Sequence, residues 1–107
     1  MTSLFNAISL QMIPQGHAEF AWHGRKVTTA EASSLAKSGL VSYIGHADTA
    51  RVLSGILGVE VPFRRAFGVL SPGESVLVAQ VTGGRLPEGA TTLPEGVKLQ
   101  FWVVTAE

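Results

Sequence analysis

Ser42-Tyr43-Ile44-Gly45-His46-Ala47-Asp48-Thr49-Ala50 is the stretch in which an apolar, strand-like run meets a glycine, a histidine and the start of a helix. The first N–H groups of a helix have no partner within it. Together with the positive end of the helix dipole they form a site that accepts an anion such as a phosphate. A histidine there can donate or accept a proton near neutral pH. The stretch therefore predicts a catalytic anion site around His46 or, as is commoner for a histidine before a helix, a loop or capping residue.

Two short helices are predicted on either side of the Ile44-Gly45 pair. The first begins at Thr28–Glu31, which has the spacing of a capping box, and it ends before Gly39. The second runs from about Asp48 to Leu57, where apolar residues recur at helical spacing, and Gly58 ends it.

The remaining apolar runs predict a sheet. Val76-Leu77-Val78-Ala79 is apolar on both faces, which is typical of a central strand, whereas Pro62 marks its own run as an edge or interrupted strand. We expect an α/β fold, with a mixed central sheet of about five strands and short helices packed on it, formed by residues 1–107 as a single domain. The predicted strands are Ser3–Ile8, His17–His23, Leu40–Ile44, Val59–Phe67, Ser75–Thr82 and Val97–Thr105.

The composition of the chain excludes several kinds of ligand and site. Eight basic residues balance eight acidic ones, so no broad positive field exists to hold duplex nucleic acid through its phosphates. Any nucleic-acid ligand is therefore expected to be small and bound by a few placed groups. The absence of cysteine excludes disulfides and thiolate metal sites. The N-terminus lacks the pattern of a signal peptide and the apolar runs are too short to cross a bilayer, so we expect a soluble intracellular protein without membrane partners.

Charged residues in two loops are further candidates for a site. Gly83–Gly89 follows the predicted central strand and contains Arg85 and Glu88, and such loops often carry binding or chemistry. The alternative is an exposed connection with a weak surface pair between Arg85 and Glu88. Arg64 and Arg65 are adjacent, so on a strand one would face solvent while the other reached a site.

Three polar residues share one face of the predicted strand His17–His23 and at first suggest a metal site. They are His17, Glu19 and His23. The two histidines are about 20 Å apart along an extended strand, so they cannot ligate one ion. A solvated face is the better interpretation, and no metal is expected.

Four motifs taken together carry a resemblance to a known family. They are Phe5-Asn6-Ala7-Ile8-Ser9-Leu10, Ile44-Gly45-His46 with Thr49, Arg65, and Gly84-Arg85-Leu86-Pro87-Glu88-Gly89. In their order and separations, across nearly the whole chain, these motifs resemble the viral ring nucleases of the type III anti-CRISPR family, whose members also occur as host-encoded versions.

The resemblance implies a metal-independent enzyme without a cofactor. It would bind cyclic tetra-adenylate, the second messenger of type III CRISPR immunity, and cut it to linear di-adenylates that end in a 2',3'-cyclic phosphate. It also implies a homodimer that binds the ring across its interface, in the cytoplasm of a prokaryotic host cell, whether a virus or the host encodes it.

The resemblance also implies roles for individual residues. His46 would protonate the leaving 5'-oxygen, Arg85 would hold the phosphate, and Glu88 would accept the 2'-hydroxyl proton or only orient Arg85 and His46. The residues expected to bind substrate are Asn6, Ser9, Gly45, Thr49 and Arg65.

Two interpretations of other classes stay open on the sequence. The same anion site would serve a protein that sequesters a cyclic oligonucleotide without cutting it. The other interpretation is a small viral interaction protein, in which His46, Arg85 and Glu88 would only stabilise the fold.

Overall fold

The computed structural model describes all 107 residues, Met1–Glu107. Its elements are five strands, two α-helices and one short 3₁₀ turn. In chain order they are β1 (Thr2–Phe5), the 3₁₀ turn (Leu10–Met12), β2 (Trp22–Val27), α1 (Thr29–Lys37), β3 (Leu40–Ser42), α2 (Ala47–Leu57), β4 (Ser75–Thr82) and β5 (Lys98–Ala106).

The five strands form one mixed sheet in the order β2-β5-β4-β1-β3. β1 lies parallel to both of its neighbours, β3 and β4, whereas β5 pairs antiparallel with β4 and with β2. The predicted mixed α/β sheet is therefore confirmed. β4 has the predicted bounds and occupies the centre of the sheet, where four successive residues, Val76 to Ala79, are buried.

Both faces of the sheet are covered, because successive strand residues point to opposite sides. Leu4 and Leu77, both fully buried, pack on the face that carries the two helices. Phe5 and Val78 point to the other face, which is covered by the 3₁₀ turn at Met12 and the irregular segment around Leu70 rather than by an α-helix. The core is thus divided into two clusters by the sheet.

Both helices begin and end as the local signals predict. The Thr28 hydroxyl oxygen accepts a hydrogen bond from the Glu31 N–H at 3.1 Å, which caps α1. α2 ends at Gly58, which adopts the left-handed conformation. The apolar stripe of α2 is buried, with Leu53 and Leu57 at 1% and 0% exposure. Neither helix has the length and apolar character that a membrane span requires.

Two predicted strands are wrong at the N-terminal side of the chain. β1 ends at Phe5 and not at Ile8, and the second strand is Trp22–Val27 and not His17–His23. Residues 17–21 of the predicted strand pair with no other strand, and only Trp22 and His23 belong to β2. β2 is fixed instead by its register on β5, from Trp22 opposite Ala106 to Val27 opposite Phe101.

The predicted edge strand Val59–Phe67 is also wrong, because this segment has no regular secondary structure. It runs beside β3, where the Arg64 N–H donates to the Ile44 carbonyl at 2.9 Å. Pro62 has no N–H to donate, and its carbonyl accepts from the buried Ser42 hydroxyl at 2.6 Å instead. At Pro62, a hydrogen bond from the Ser42 side chain therefore takes the place of a backbone hydrogen bond between strands.

The packing around Gly68 generates a stability prediction. The rings of Phe5 and Tyr43 stack with centroids 4.6 Å apart, and a Cβ on Gly68 would collide with the Phe5 ring and approach Tyr43 Cε1 to 3.2 Å. Gly68→Ala should lower the free energy of unfolding by about 1–3 kcal/mol, as overpacking does. Urea denaturation measures the change.

The matched control is Gly55→Ala, in the exposed middle of α2, where a Cβ meets nothing within 4 Å. That variant should be more stable than the wild type by about 0.5–1 kcal/mol, because alanine favours a helix over glycine. Equal stability of Gly68→Ala and wild type would contradict the packing argument.

Candidate functional site

Three chain segments converge at one edge of the sheet, where the parallel strands β1, β3 and β4 end. Ligands of α/β proteins commonly bind in a crevice outside such carboxyl ends. Here a crevice of ≈ 480 Å³ lies at this edge, which is within the size range of small-ligand sites. Its lining includes Asn6, His46, Asp48, Thr49, Gly84 and Arg85.

His46 is the N-cap residue of α2, with extended backbone angles of φ −130° and ψ 122°. Its carbonyl accepts the first helical hydrogen bond, from the Ala50 N–H at 3.0 Å. The N–H groups of residues 47–49 make no hydrogen bond, and the exposed His46 side chain does not cap them. The imidazole is therefore free beside unpaired helix N–H groups, as the sequence predicts.

A second pocket of ≈ 450 Å³ adjoins the first and shares Asn6 and His46 with it. Gly45 and Arg65 also line it, and the Arg65 Nε–H donates to the Gly45 carbonyl at 3.3 Å. A ligand that filled both pockets would pass directly over His46.

Arg64 lines this second pocket as well, so the expectation that only one of the two arginines reaches a site is wrong. Because residues 59–67 do not form a strand, neighbouring side chains need not alternate between two sides. The Arg64 guanidinium lies 4.8 Å from the centroid of the Tyr43 ring, and its Nη1 donates to the Ser42 carbonyl at 3.4 Å. Two positively charged arginines thus line the second pocket.

The charged loop between β4 and β5 contributes Arg85 to the crevice, and Arg85 makes no ion pair or hydrogen bond with protein. Glu88 is exposed and lines neither pocket, and no Arg85–Glu88 ion pair forms. Ser9 is also exposed and lies outside the linings of both pockets. The structure therefore brings together six of the eight predicted site residues: Asn6, Gly45, His46, Thr49, Arg65 and Arg85.

Several residues that line the two pockets were not predicted as site residues. Among them are Asp48, Tyr43, Arg64 and Phe67. Two of these stand in the stretch Ser42–Ala50, and proximity to His46 in the sequence was a usable signal for them. No local signal identifies Phe67, which the irregular 59–70 segment brings to the site.

The chemistry available here is that of an anion site with a proton donor. Guanidinium groups and helix N–H groups bind phosphate oxygens, and an imidazolium can protonate a departing oxygen. No three His, Cys, Asp or Glu side chains lie close enough together to hold a metal ion. His17 and His23 are both exposed, as expected of a solvated face, although only His23 lies on a strand.

Comparisons with known proteins connect this chain to archaeal viruses. The model of the STIV B116-like family matches residues 2–100. "Uncharacterized protein 26" of Sulfolobus islandicus filamentous virus (isolate Iceland/Hveragerdi) is 31% identical over 90 residues, which are 83% of this chain and 74% of that protein. B116 of Sulfolobus turreted icosahedral virus has the same fold, with a TM-score of 0.75 and 20% identity over 97% of both chains.

The start of the charged loop generates a second stability prediction. Gly83 and Gly96 face each other at the base of the loop, with φ of 85° and 83°. A Cβ on Gly83 would collide with the Gly96 carbonyl oxygen, whereas a Cβ on Gly96 meets nothing within 4 Å. Gly96→Ala should lower the free energy of unfolding by about 1–2 kcal/mol through the left-handed conformation alone. Gly83→Ala should lose about 1–3 kcal/mol more through the collision.

Chemical denaturation of both variants measures this difference. The two substitutions impose the same backbone penalty in the same loop, so each serves as the control for the other. Equal losses would show that the loop base is not packed as described.

Proposed function

This chain belongs to the STIV B116-like family, and we propose that it is a metal-independent ring nuclease that binds cyclic tetra-adenylate and cleaves it to linear di-adenylates. Cleavage would switch off type III CRISPR signalling in the cytoplasm of a prokaryotic host cell. The observation that carries the proposal is the placement of His46. Its free side chain lies beside the unpaired N–H groups of α2 and lines the same crevice as Arg85.

RNA supplies its own nucleophile, so the enzyme needs to do little beyond alignment. The ribose 2'-oxygen attacks the adjacent phosphorus, the bond from phosphorus to the 5'-oxygen breaks, and the products carry a 2',3'-cyclic phosphate and a 5'-hydroxyl. Alignment of this intramolecular attack can lower the activation free energy by about 7 kcal/mol or more in the best cases. No metal is required for any step.

His46 is proposed to donate its proton to the leaving 5'-oxygen, and Arg85 to hold the nonbridging oxygens with its planar guanidinium. Glu88 accepts the 2'-hydroxyl proton or orients the other two. In the present conformation Glu88 lies outside both pockets, so the role of base requires its exposed side chain to move into the crevice.

The second pocket is proposed to hold the neighbouring nucleotide of the ring. Arg65, whose Nε–H donates to the Gly45 carbonyl, is proposed to contact a further phosphate there. Asn6 lines both pockets and can hydrogen-bond the ribose-phosphate backbone between them. Thr49 lies at the helix N-terminus in the first crevice, and Ser9 would reach the ligand only from outside it.

A homodimer is proposed because the ligand and a two-fold protein have matching symmetry. A ring of four identical nucleotides presents equivalent bonds on opposite sides, and a two-fold dimer offers two equivalent sites. Exposed apolar side chains support this proposal. Phe67 borders the second pocket and is 85% exposed, and Val69, two residues on, is 55% exposed. Burial of such groups favours association.

One observation favours a second candidate, a protein that sequesters the cyclic oligonucleotide without cutting it. No carboxylate other than Asp48 lines the crevice, and Asp48 already accepts two hydrogen bonds. A purely structural role is less well supported, because the side chains of His46, Arg85 and Glu88 make no hydrogen bond or ion pair with protein.

Incubation of the protein with cyclic tetra-adenylate in EDTA tests the proposed reaction. The wild type should yield linear di-adenylates with 2',3'-cyclic phosphate ends. His46→Ala should lower the single-turnover rate by roughly 10²- to 10⁴-fold, the usual contribution of a general acid, while still binding the ring.

His23→Ala is the matched control, because His23 is an exposed histidine on β2 that lines neither pocket. Its rate should equal that of the wild type. Tight binding without products would support the sequestering protein instead, and a full rate in His46→Ala would show that another group is the acid.

Sedimentation velocity tests the homodimer. The wild type should sediment as a dimer, and Phe67→Glu should sediment as a monomer, since a buried unpaired carboxylate opposes association. Ser34→Glu, at an exposed position of α1, is the control and should remain dimeric. A monomeric wild type, or a Phe67→Glu dimer of unchanged stability, would contradict this part of the proposal.

A further inference from the structure

The loop that carries Arg85 and Glu88 is joined to the rest of the protein by very few hydrogen bonds. The β4–β5 ladder stops at the pair Thr82 and Lys98. Inside the loop, the Ala90 N–H donates to the Pro87 carbonyl and the Val97 N–H to the Pro94 carbonyl, both at 3.1 Å. The only other hydrogen bonds of residues 83–97 go to two side chains of α2.

Those two side chains are Asp48 and Arg51, three residues apart on the helix. Asp48 Oδ1 accepts from the Gly89 N–H at 3.2 Å and from Arg51 Nη1 at 3.0 Å. The same Arg51 nitrogen donates to the Ala90 carbonyl at 3.3 Å. One ion pair thus binds two neighbouring residues of the loop, through the Gly89 N–H and the Ala90 carbonyl.

We propose that Asp48 and Arg51 are positioning residues that hold the Gly83–Val97 loop against the start of α2, and so keep Arg85 beside His46. The inference rests on the proposed function. We call this ion pair with its two loop contacts the Asp48–Arg51 clasp.

The charge of Asp48 supports this role over a role in ligand binding. Asp48 lines the crevice, where its negative charge would repel a phosphate. A carboxylate in an anion site therefore weakens binding unless it serves another purpose. The clasp supplies that purpose, and Arg51 offsets part of the charge at 3.0 Å.

The clasp is expected to act on the loop rather than on the whole fold. Both side chains are partly exposed, at 31% for Asp48 and 48% for Arg51. Exposed ion pairs contribute little to global stability, so the variants should remain folded. What they lose is the fixed position of the loop, and displacement of a catalytic group by about 1 Å can cost roughly 10²-fold in rate.

Two measurements on the wild-type protein and its variants test the proposal. The first is amide hydrogen exchange of Gly89 by NMR without ligand. Exchange should be faster in Asp48→Ala, and close to wild type in Asp48→Asn, whose amide oxygen can still accept both hydrogen bonds.

The second measurement is the steady-state cleavage of cyclic tetra-adenylate. Asp48→Ala and Arg51→Ala should lower kcat by about 10- to 100-fold through misplacement of the loop. Asp48→Asn should restore kcat and lower KM, because the repelling charge is gone while the contact remains. A residue with a merely structural role would not separate kcat from KM in this way.

Glu31→Ala is the matched control, since Glu31 forms the other ion pair of the protein, with Arg25 at 2.9 Å and at comparable exposure. It should change neither Gly89 exchange nor kcat. Unchanged Gly89 exchange in Asp48→Ala, or the same kcat loss in Glu31→Ala, would overturn the proposal. If the wild type leaves the ring uncut, the proposed reaction is overturned, and the exchange rates alone decide whether the clasp holds the loop.

Discussion

The parallel pairing of β1 with β3 on one side and β4 on the other is the constraint on which the site depends. Leu4 lies opposite Ser42 in one neighbour and Leu77 in the other, and it is fully buried. Because all three strands run the same way, the chain leaves each of them at the same edge of the sheet. Residues that are far apart in sequence, such as Asn6, His46 and Arg85, are brought to this edge by the ends of those strands.

The net charge of the protein is zero, but positively charged side chains are concentrated at this edge of the sheet. Three arginines, Arg64, Arg65 and Arg85, line two adjoining pockets together with the N-terminus of α2. Such local cations act over short range, whereas a net positive charge would attract any nucleic acid. This distribution of charge supports the proposal of a small anionic ligand over a duplex.

Elements with strong local signals could be predicted from the sequence. The capping box at Thr28, the terminal glycine Gly58 and the doubly apolar run of β4 each depend on neighbours in the chain, and each is confirmed. Much of the site followed from the same signals. Gly45 and His46 lie where a strand is succeeded by a helix, and the structure places them there.

Features that depend on distant partners could not be predicted. The position of β2 is set by its register on β5, and the strand order is not encoded in any periodicity. Arg64 lies at the second pocket, and its segment is attached there by hydrogen bonds between residues distant in sequence, from Ser42 to Pro62 and from Arg64 to Ile44. The placement of Glu88 outside the crevice likewise results from how the loop is held, which spacing in a sequence does not report.

The Gly83–Val97 loop is fixed at its base by the β4–β5 ladder and at residues 89 and 90 by α2. Between Ala90 and Pro94 no hydrogen bond restrains it. Lengthening an already flexible connection costs little closure entropy. Residues inserted at positions 91–93 are therefore expected to leave the geometry of the crevice unchanged.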